Sequence, residues 1–213
     1  MRYEAEQTAF SAQGVVRTAD GREIRFDLQL LMSREYYEES NISIRAGDAV
    51  RKDPLVINFN GTAAQLTDVK FDFDIDSDGQ PDSISFVAPG SGFLALDRNG
   101  DGKINNGGEL FGTQSGNGFA DLAQYDSDGN HWIDENDPIY ADLRVWTKDA
   151  DGKDRLSTLA AQKVGALYLG NVSTPFSINN SSSNAQLGQL QSTGIYLNEN
   201  GSAGTLQQID LVV

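Results

Sequence analysis

Apolar and polar residues alternate along the first third of the chain, and this alternation predicts β-strands. In EIRFDLQLLM (23–32) every second residue is apolar and the intervening residues are charged or polar until Leu31. A period of two is typical of a strand with one buried face. FSAQGVVRT (10–18) is a second strand candidate, and the turn signal ADGR (19–22) joins the two into a predicted hairpin. The predicted inward face of the longer strand consists of Ile24, Phe26, Leu28, Leu30 and Met32.

Further along the chain, short apolar segments predict more strands, and a few segments resemble helices. The strand candidates are PLVINF (54–59), VKFDF (69–73), SISFVA (83–88), FLAL (93–96), RVWT (144–147), ALYLGNV (166–172), GIYLN (194–198) and TLQQIDLVV (205–213). The last two flank ENGSAG, a predicted hairpin turn. The helical candidates are GELFG (108–112), FADLAQY (119–125), DPIYADL (137–143) and STLAAQKV (157–164), the last with Ser157 or Thr158 as its N-cap.

These elements predict an α+β fold, with β-rich N- and C-terminal hairpins around a loop-rich centre that contains short helices and EF-hand-like calcium loops. We expect one compact domain over residues 1–213. The alternative division is a β module at 1–70 and a calcium-binding module at 71–213. Hydrophobic residues make up 38% of the 213 residues, which is enough apolar material to form a core.

Charge is concentrated in the centre of the chain. Residues 71–154 carry 18 acidic and 5 basic side chains, whereas residues 1–70 carry 11 and 9 and residues 155–213 carry 2 and 2. So dense a negative block repels itself unless cations neutralise it, and it disfavours a nucleic-acid partner. The chain has no cysteine, which excludes disulfides and thiolate metal sites. No apolar run reaches the length of a membrane span, and MRYEAEQTAF lacks the apolar core of a signal peptide.

The acidic block contains loops with the spacing of calcium ligands. Calcium binds six to eight oxygen atoms, and side chains at positions 1, 3 and 5 of a tight loop converge on one point while glycine at position 6 permits the bend. Loop 1 (residues 74–82) is followed by a strand, as in a D-x-D-x-D-G-x-x-D loop within a hairpin. Its predicted ligands are Asp74, Asp76, Asp78, the carbonyl of Gln80, and Asp82.

Loop 2 (residues 97–109) departs from the EF-hand spacing at one place. Position 12 is Gly108, and the acid follows one residue later as Glu109. The flexible Gly107–Gly108 pair allows Glu109 to reach back towards the ion from the first turn of a helix. The predicted ligands are Asp97, Asn99, Asp101, the carbonyl of Lys103, Asn105 and Glu109.

Loop 3 (residues 126–137) keeps the spacing but has His131 in place of glycine at position 6. His131 is the only histidine, so a zinc or catalytic role is disfavoured, and we interpret it as a loop residue that tolerates the bend. The predicted ligands are Asp126, Asp128, Asn130, the carbonyl of Trp132, Asp134 and Asp137.

Loop 4 (residues 149–154) has the weakest pattern of the four. Asp149 and Asp151 match positions 1 and 3, but position 5 is Lys153. We interpret loop 4 as a turn, with a weak fourth site possible if Asp154 contributes. The cofactor prediction is therefore Ca²⁺ at about three sites.

The amino-acid sequence of the acidic central part of the chain resembles a known type of segment. GFLALDRNGDGKINNGGELFG and the following GFADLAQYDSDGNHWIDENDPIYADLRVWTKDADG are similar to the calcium-binding segment of large bacterial exoproteins, which include repeats-in-toxin haemolysin-like and VCBS-type repeat proteins. In that pattern the acid of loop 2 also stands one residue late, so the resemblance implies that Glu109 is a ligand. It also implies a bacterial protein that is exported or attached to the cell surface, and it does not imply a catalytic activity.

Three functions follow from these observations. The leading hypothesis is a non-enzymatic calcium-binding module whose acidic centre folds when calcium binds. The alternative is a calcium-dependent carbohydrate-binding or adhesion module, with a glycan or another cell-surface component as partner and with Trp132 or Trp146 stacking on sugars. A metal-dependent hydrolase is the least favoured, because no nucleophile elbow, H-E-x-x-H or P-loop motif is present.

Overall fold

A computed structural model describes residues 2–17, 23–38, 51–59 and 63–213. The α+β prediction is wrong, because 58% of the structure is strand and only one short α-helix is found among the described residues. The strands are β1 Arg2–Arg17, β2 Glu23–Glu38, β3 Arg51–Lys52, β4 Leu55–Asn58, β5 Leu66–Phe73, β6 Asp82–Val87, β7 Ser91–Leu96, β8 Trp132–Ile133, β9 Leu143–Lys148, β10 Asp154–Thr158, β11 Val164–Asn179, β12 Gln186–Asn198 and β13 Ala203–Val212.

The N-terminal strands form the predicted hairpin. β1 and β2 pair antiparallel over their whole length, with Phe10 opposite Leu30. The predicted inward face is confirmed, since Leu28, Leu30 and Met32 are buried together with Phe10. The predicted turn at 19–22 lies outside the described residues. The hairpin packs its apolar face against the same core cluster as the central strands, so its alternating pattern is explained by one-sided burial.

A large antiparallel sheet forms the body of the structure. Its strands lie in the order β10-β9-β7-β4-β13-β12-β11-β8, and β3 pairs with the end of β13. β5 and β6 form a separate two-stranded ribbon. Consecutive hairpins account for β11 to β13, which confirms the predicted C-terminal hairpin around ENGSAG.

The two faces of the sheet are covered by two apolar clusters. The first is centred on Trp146, which packs against four phenylalanine rings at centroid distances of 5.0 to 6.0 Å. The second contains Leu94, Phe111, Leu122, Ile133 and Leu206, all of which are buried. Because neighbouring residues of a strand point to opposite faces, Phe93 and Leu94 lie in different clusters.

The helical predictions are only partly confirmed. FADLAQY supplies α1 (Gly118–Ala123), whose N-cap is the Asn117 side chain. GELFG and DPIYADL each form only a short 3-10 helix, at Gly107–Glu109 and Pro138–Ala141.

The predicted helix over residues 157–164 is wrong. Its first residues end β10, which pairs with β9, and only Ala160–Gln162 form a 3-10 turn. The backbone at Lys163 is left-handed (φ 61°) and ends that turn. Neither Ser157 nor Thr158 is the N-cap residue, which is Leu159. Strand pairing satisfies the backbone of residues 157–158 and prevents a helix from starting there, although the Thr158 hydroxyl still accepts the Ala161 N–H at 3.1 Å.

The acidic loops all lie at connections between these strands. Loop 1 joins β5 to β6, loop 2 follows β7, loop 3 links α1 to β8 and the next 3-10 helix, and loop 4 joins β9 to β10. In the described ranges, none of the helices has the length and apolar character needed to cross a membrane.

We expect the sheet core to determine the stability of the fold. Leu94→Ala removes a fully buried side chain from β7 and should lower the free energy of unfolding by about 2–5 kcal/mol. Leu31→Ala is the matched control, because Leu31 is exposed on β2, and it should change that free energy by no more than about 0.5 kcal/mol. Urea denaturation measures both. Equal effects would contradict the assignment of Leu94 to the core.

Candidate metal centre

Loops 1, 2 and 3 share one hydrogen-bond pattern, which holds the predicted ligands in place. The carboxylate of the first aspartate accepts backbone N–H bonds from positions 5 and 6. The position-6 bonds are Gly79 N to Asp74 Oδ2 at 3.1 Å, Gly102 N to Asp97 Oδ2 at 2.8 Å and His131 N to Asp126 Oδ2 at 3.0 Å.

The side chain of the fifth residue in each of these loops also accepts a backbone N–H group. Its side-chain oxygen accepts the backbone N–H of the seventh residue, which is the predicted carbonyl ligand. These bonds join Gln80 N to Asp78 at 2.7 Å, Lys103 N to Asp101 at 2.9 Å and Trp132 N to Asn130 at 2.7 Å. The repeated sequence spacing therefore corresponds to a repeated local structure.

Loop 1 brings three carboxylates together. One oxygen from each of Asp74, Asp76 and Asp78 lies within 4.8 Å of the others. Negative charges at that separation repel one another, and a cation between them would turn the repulsion into attraction. The structure therefore gathers the predicted side-chain ligands at positions 1, 3 and 5 as expected.

Asp82, the predicted ligand at position 9, interacts electrostatically with all three carboxylates of this group. Its Oδ2 atom is buried and has no hydrogen-bond partner in the part of the chain that the structure describes. Burial raises the pKa of the Asp82 carboxyl, and the charges of Asp76, Asp78 and Asp74 raise it further, while a backbone hydrogen bond from Ile75 lowers it. A raised pKa means that the ionised carboxylate destabilises the folded state at neutral pH, and a bound cation would remove this cost.

Loop 3 gathers a second triplet, which consists of Asp126, Asp128 and Asp137. Asp137 is buried, and Asp128 Oδ2 accepts a hydrogen bond from the Asn130 side chain at 3.0 Å. The structure thus brings positions 1, 3 and 12 of this loop to one point. His131 is not a member of the triplet, which agrees with its interpretation as a loop residue.

Loop 2 gathers amides as well as carboxylates. The Asn99 side chain donates to Asn105 Oδ1 at 2.9 Å, and Asn105 donates to Asp101 Oδ2 at 3.1 Å. The ligands at positions 3, 5 and 9 are therefore in mutual contact, but two of them are uncharged. Because calcium affinity rises with the number of charged ligands, loop 2 has weaker electrostatic attraction for a cation than loop 1.

Glu109 and Asp137 occupy equivalent places although their loops differ in length. Each is buried, and each accepts the backbone N–H groups of positions 2 and 9 of its own loop. Glu109 accepts from Arg98 N at 3.0 Å and Asn105 N at 2.7 Å, and Asp137 accepts from Ser127 N at 2.7 Å and Asp134 N at 3.1 Å. The late acid of loop 2 therefore closes its loop as the twelfth residue closes loop 3.

Gly107 and Gly108 have a different role from the one that flexibility suggested. A Cβ atom on Gly107 would meet the carbonyl oxygen of Ile75 at 1.8 Å, so the backbone of loop 1 occupies the space of a side chain. The Gly107 N–H donates to the carbonyl of Asp74 at 2.8 Å. Glycine at position 107 is thus required by the close approach of two loops, whereas a Cβ atom on Gly108 would meet only the side chains of Asn106 and Ser77. The sequence pattern of neither loop indicates this contact between them.

Left-handed backbone recurs at positions 4 and 6 of the loops. Glycine occupies most of these positions, including Gly100 (φ 72°) and Gly129 (φ 72°) at position 4. Two positions carry a side chain instead, namely Ser77 (φ 62°) at position 4 of loop 1 and His131 (φ 67°) at position 6 of loop 3. An L-residue is strained in this region, so each exception needs a reason.

Loop 4 already contains its own cations. Arg155 Nη2 lies 2.9 Å from Asp149 Oδ2, and Lys148 Nζ lies 2.6 Å from Asp154 Oδ1. Hydrogen bonding from the Lys153 backbone lowers the pKa of Asp149, and Arg155 lowers it further against the opposing effect of burial. Protein cations thus take the place that calcium would need, as expected of a turn.

The two tryptophans differ in burial. Trp146 is only 2% exposed and lies among phenylalanine rings, so its faces are unavailable for stacking on a sugar. Trp132 is half-buried and packs against Tyr168 at a centroid distance of 4.8 Å. These positions give no support to the carbohydrate-binding alternative.

Comparison with known proteins identifies the family of the chain. The model of the SPM domain matches residues 55–212, which include all four loops and most of the large sheet. The chain belongs to the SPM domain family. It is 30% identical over 165 residues to the iron-regulated protein FrpA of Neisseria meningitidis serogroup C. That match covers 70% of this chain and 15% of FrpA, so the SPM domain described here spans a small part of its bacterial relative.

Glu109 is expected to close loop 2. Glu109→Gln replaces one acceptor oxygen by an N–H₂ group that faces a backbone N–H, and it also removes a charge. Calcium affinity at loop 2 should therefore fall at least about tenfold, equivalent to about 1.4 kcal/mol. The measurement is calorimetric titration with calcium.

The matched control for this change is Glu135→Gln, which makes the same substitution at an exposed position of loop 3. It should alter calcium affinity less than about twofold, because an exposed charge is screened by solvent. Equal losses in the two variants would mean that total charge, and not closure by Glu109, determines binding.

His131 is expected to strain loop 3. His131→Gly should raise the free energy of unfolding by about 0.5–1 kcal/mol, because the left-handed cost of an L-residue exceeds the entropy that glycine loses on folding. Gly102→His at the same position of loop 2 should have the opposite sign. Urea denaturation at one fixed calcium concentration checks both. Destabilisation by His131→Gly would show that the imidazole makes a stabilising contact.

Proposed function

We propose that this SPM domain is a calcium-binding module of an exported bacterial protein, in which calcium completes the folding of the acidic centre. The observation that carries the proposal is the pair of carboxylate triplets in loops 1 and 3, each with its oxygens within 4.8 Å. The predicted ligands of loops 1 to 3 are all oxygen atoms, and oxygen-only sites suit hard cations such as calcium. The repeated backbone hydrogen bonds support the same ligand set in loop 2.

Electrostatics gives the proposal its physical mechanism. Without a cation, the folded loops hold like charges close together, and this repulsion opposes folding of the block that carries 18 acidic side chains. Calcium reverses the sign of that interaction, so the free energy of binding becomes free energy of folding. Extracellular calcium is far more concentrated than cytosolic calcium, and the module would therefore become fully ordered after export. The bacterial relative FrpA supports a bacterial origin.

Calcium should raise the melting temperature of the protein substantially. At a calcium concentration 100 times the dissociation constant, one site contributes about 2.7 kcal/mol, which corresponds to a rise of at least about 5 °C for a chain of this size. The measurement is calorimetric melting in calcium against EGTA, with magnesium as the control for charge screening. A rise below about 2 °C, or an equal rise with magnesium, would contradict the proposal. Calorimetric titration should give a stoichiometry of three.

A further inference from the structure

Loops 1 and 2 are joined to each other by their backbones. Asp74 and Asn106 form an isolated parallel β-bridge, and the Gly107 N–H donates to the Asp74 carbonyl at 2.8 Å. Asp74 is the first ligand of loop 1, and Gly107 stands between the last two ligands of loop 2. A shift of either ligand set therefore moves the backbone of the other loop.

Ser77 strengthens this junction at the tip of loop 1. Its hydroxyl accepts the Gly108 N–H at 2.9 Å and donates to Asn106 Oδ1 at 3.2 Å. Gln114 completes the contact, donating to the Asp76 carbonyl at 3.1 Å. Glycine stands at position 4 in the other three loops, whereas loop 1 keeps a serine there in a strained left-handed conformation. Such strain persists only where surrounding contacts hold the backbone, and the contacts of the Ser77 side chain are with loop 2.

The apolar anchors divide the loops in the same way. Ile75 of loop 1 and Ile104 of loop 2 belong to the core cluster around Trp146. Ile133 of loop 3 belongs to the other cluster, on the opposite face of the sheet, although the neighbouring Trp132 packs against the first cluster. Loop 2 also reaches the start of loop 3, through an exposed hydrogen bond from Arg98 to the Tyr125 hydroxyl at 3.2 Å. That side-chain contact is solvated and involves no backbone of loop 3, so it transmits little.

We propose that loops 1 and 2 form one coupled calcium unit, in which an ion at either loop raises the affinity of the other, while loop 3 binds separately. This inference rests on the proposed calcium binding and adds a regulation to it. Coupling arises because the first ion fixes the shared junction from Asp74 to Ser77 and from Asn106 to Gly108. The second loop is then already ordered, and its ion no longer has to order the junction.

The test is a calcium titration of the full chain followed by amide NMR. The Gly79, Gly102 and His131 amides donate to the first aspartate of loops 1, 2 and 3, so each resonance reports one loop. Asp76→Asn weakens loop 1 and should raise the half-saturating calcium concentration at Gly102 at least about fivefold. Asp128→Asn makes the same change at position 3 of loop 3 and should raise it less than about twofold. Coupling between two sites is reciprocal in sign, so Asp101→Asn, which weakens loop 2, should also raise the half-saturating calcium concentration at the Gly79 amide of loop 1.

Ser77→Gly tests the bridge itself, because it removes the hydroxyl, relieves the left-handed strain and keeps every predicted ligand. In that background the effect of Asp76→Asn on the half-saturating calcium concentration at Gly102 should become smaller, while the backbone bond from Gly107 to Asp74 keeps part of the coupling. The coupling proposal is overturned if Asp76→Asn leaves the half-saturating calcium concentration at the Gly102 amide within twofold of the wild-type value. It is also overturned if Asp128→Asn changes that concentration equally. An unchanged effect in the Ser77→Gly background overturns the assignment of the bridge to Ser77. If no amide responds to calcium, the proposed function itself fails, which is a different outcome from three loops that respond independently.

Discussion

Hydrogen bonds from backbone N–H groups to the side-chain oxygens of aspartate, and of Asn130 in loop 3, are the interaction on which the acidic centre depends. They fix the side chains of positions 1 and 5 in loops 1 to 3, so the predicted ligands converge although their charges repel. The same bonds fold the backbone into a turn that requires left-handed residues at positions 4 and 6. Ligand spacing, turn conformation and glycine placement are thus three consequences of one hydrogen-bond pattern.

The sheet supplies a rigid frame for these turns. The apolar residue at position 8 of loops 2 and 3, Ile104 or Ile133, is buried in the core. The residue that closes each loop, Glu109 or Asp137, is buried beside it and accepts two backbone N–H bonds. A buried carboxylate is stable when it is hydrogen-bonded in this way, and its position then defines the size of the loop. Loop 2 accommodates an additional residue because its closing acid has one more methylene group than aspartate.

The sequence predicted the strands and the loops far better than the helices and the contacts between loops. The alternation in residues 23–32 and the spacing of the acids are local patterns, and the structure contains the hairpin and the turns that they predict. STLAAQKV has a local preference for helix, but pairing of β10 with β9 decides its conformation, and sequence periodicity contains no information about that pairing. The α+β assignment failed for this reason. Trp146, considered from the sequence as a surface for stacking on sugars, lies in the core because RVWT is a strand with both faces covered.

Ser77 and His131 show what a comparison of the loops within one chain can reveal. Both interrupt a glycine pattern at a left-handed position, but they do so with different surroundings. The Ser77 hydroxyl has three polar neighbours, Asn106, Gly108 and Gln114, and they belong to another loop and to the segment that follows it. The hydrogen bonds of His131 are made by its backbone: its N–H donates to Asp126 of the same loop, and its carbonyl accepts from Leu169 of β11. The same left-handed backbone strain therefore occurs in two different structural settings. At Ser77 it accompanies a connection between two sites, and at His131 it accompanies only the turn that holds one site.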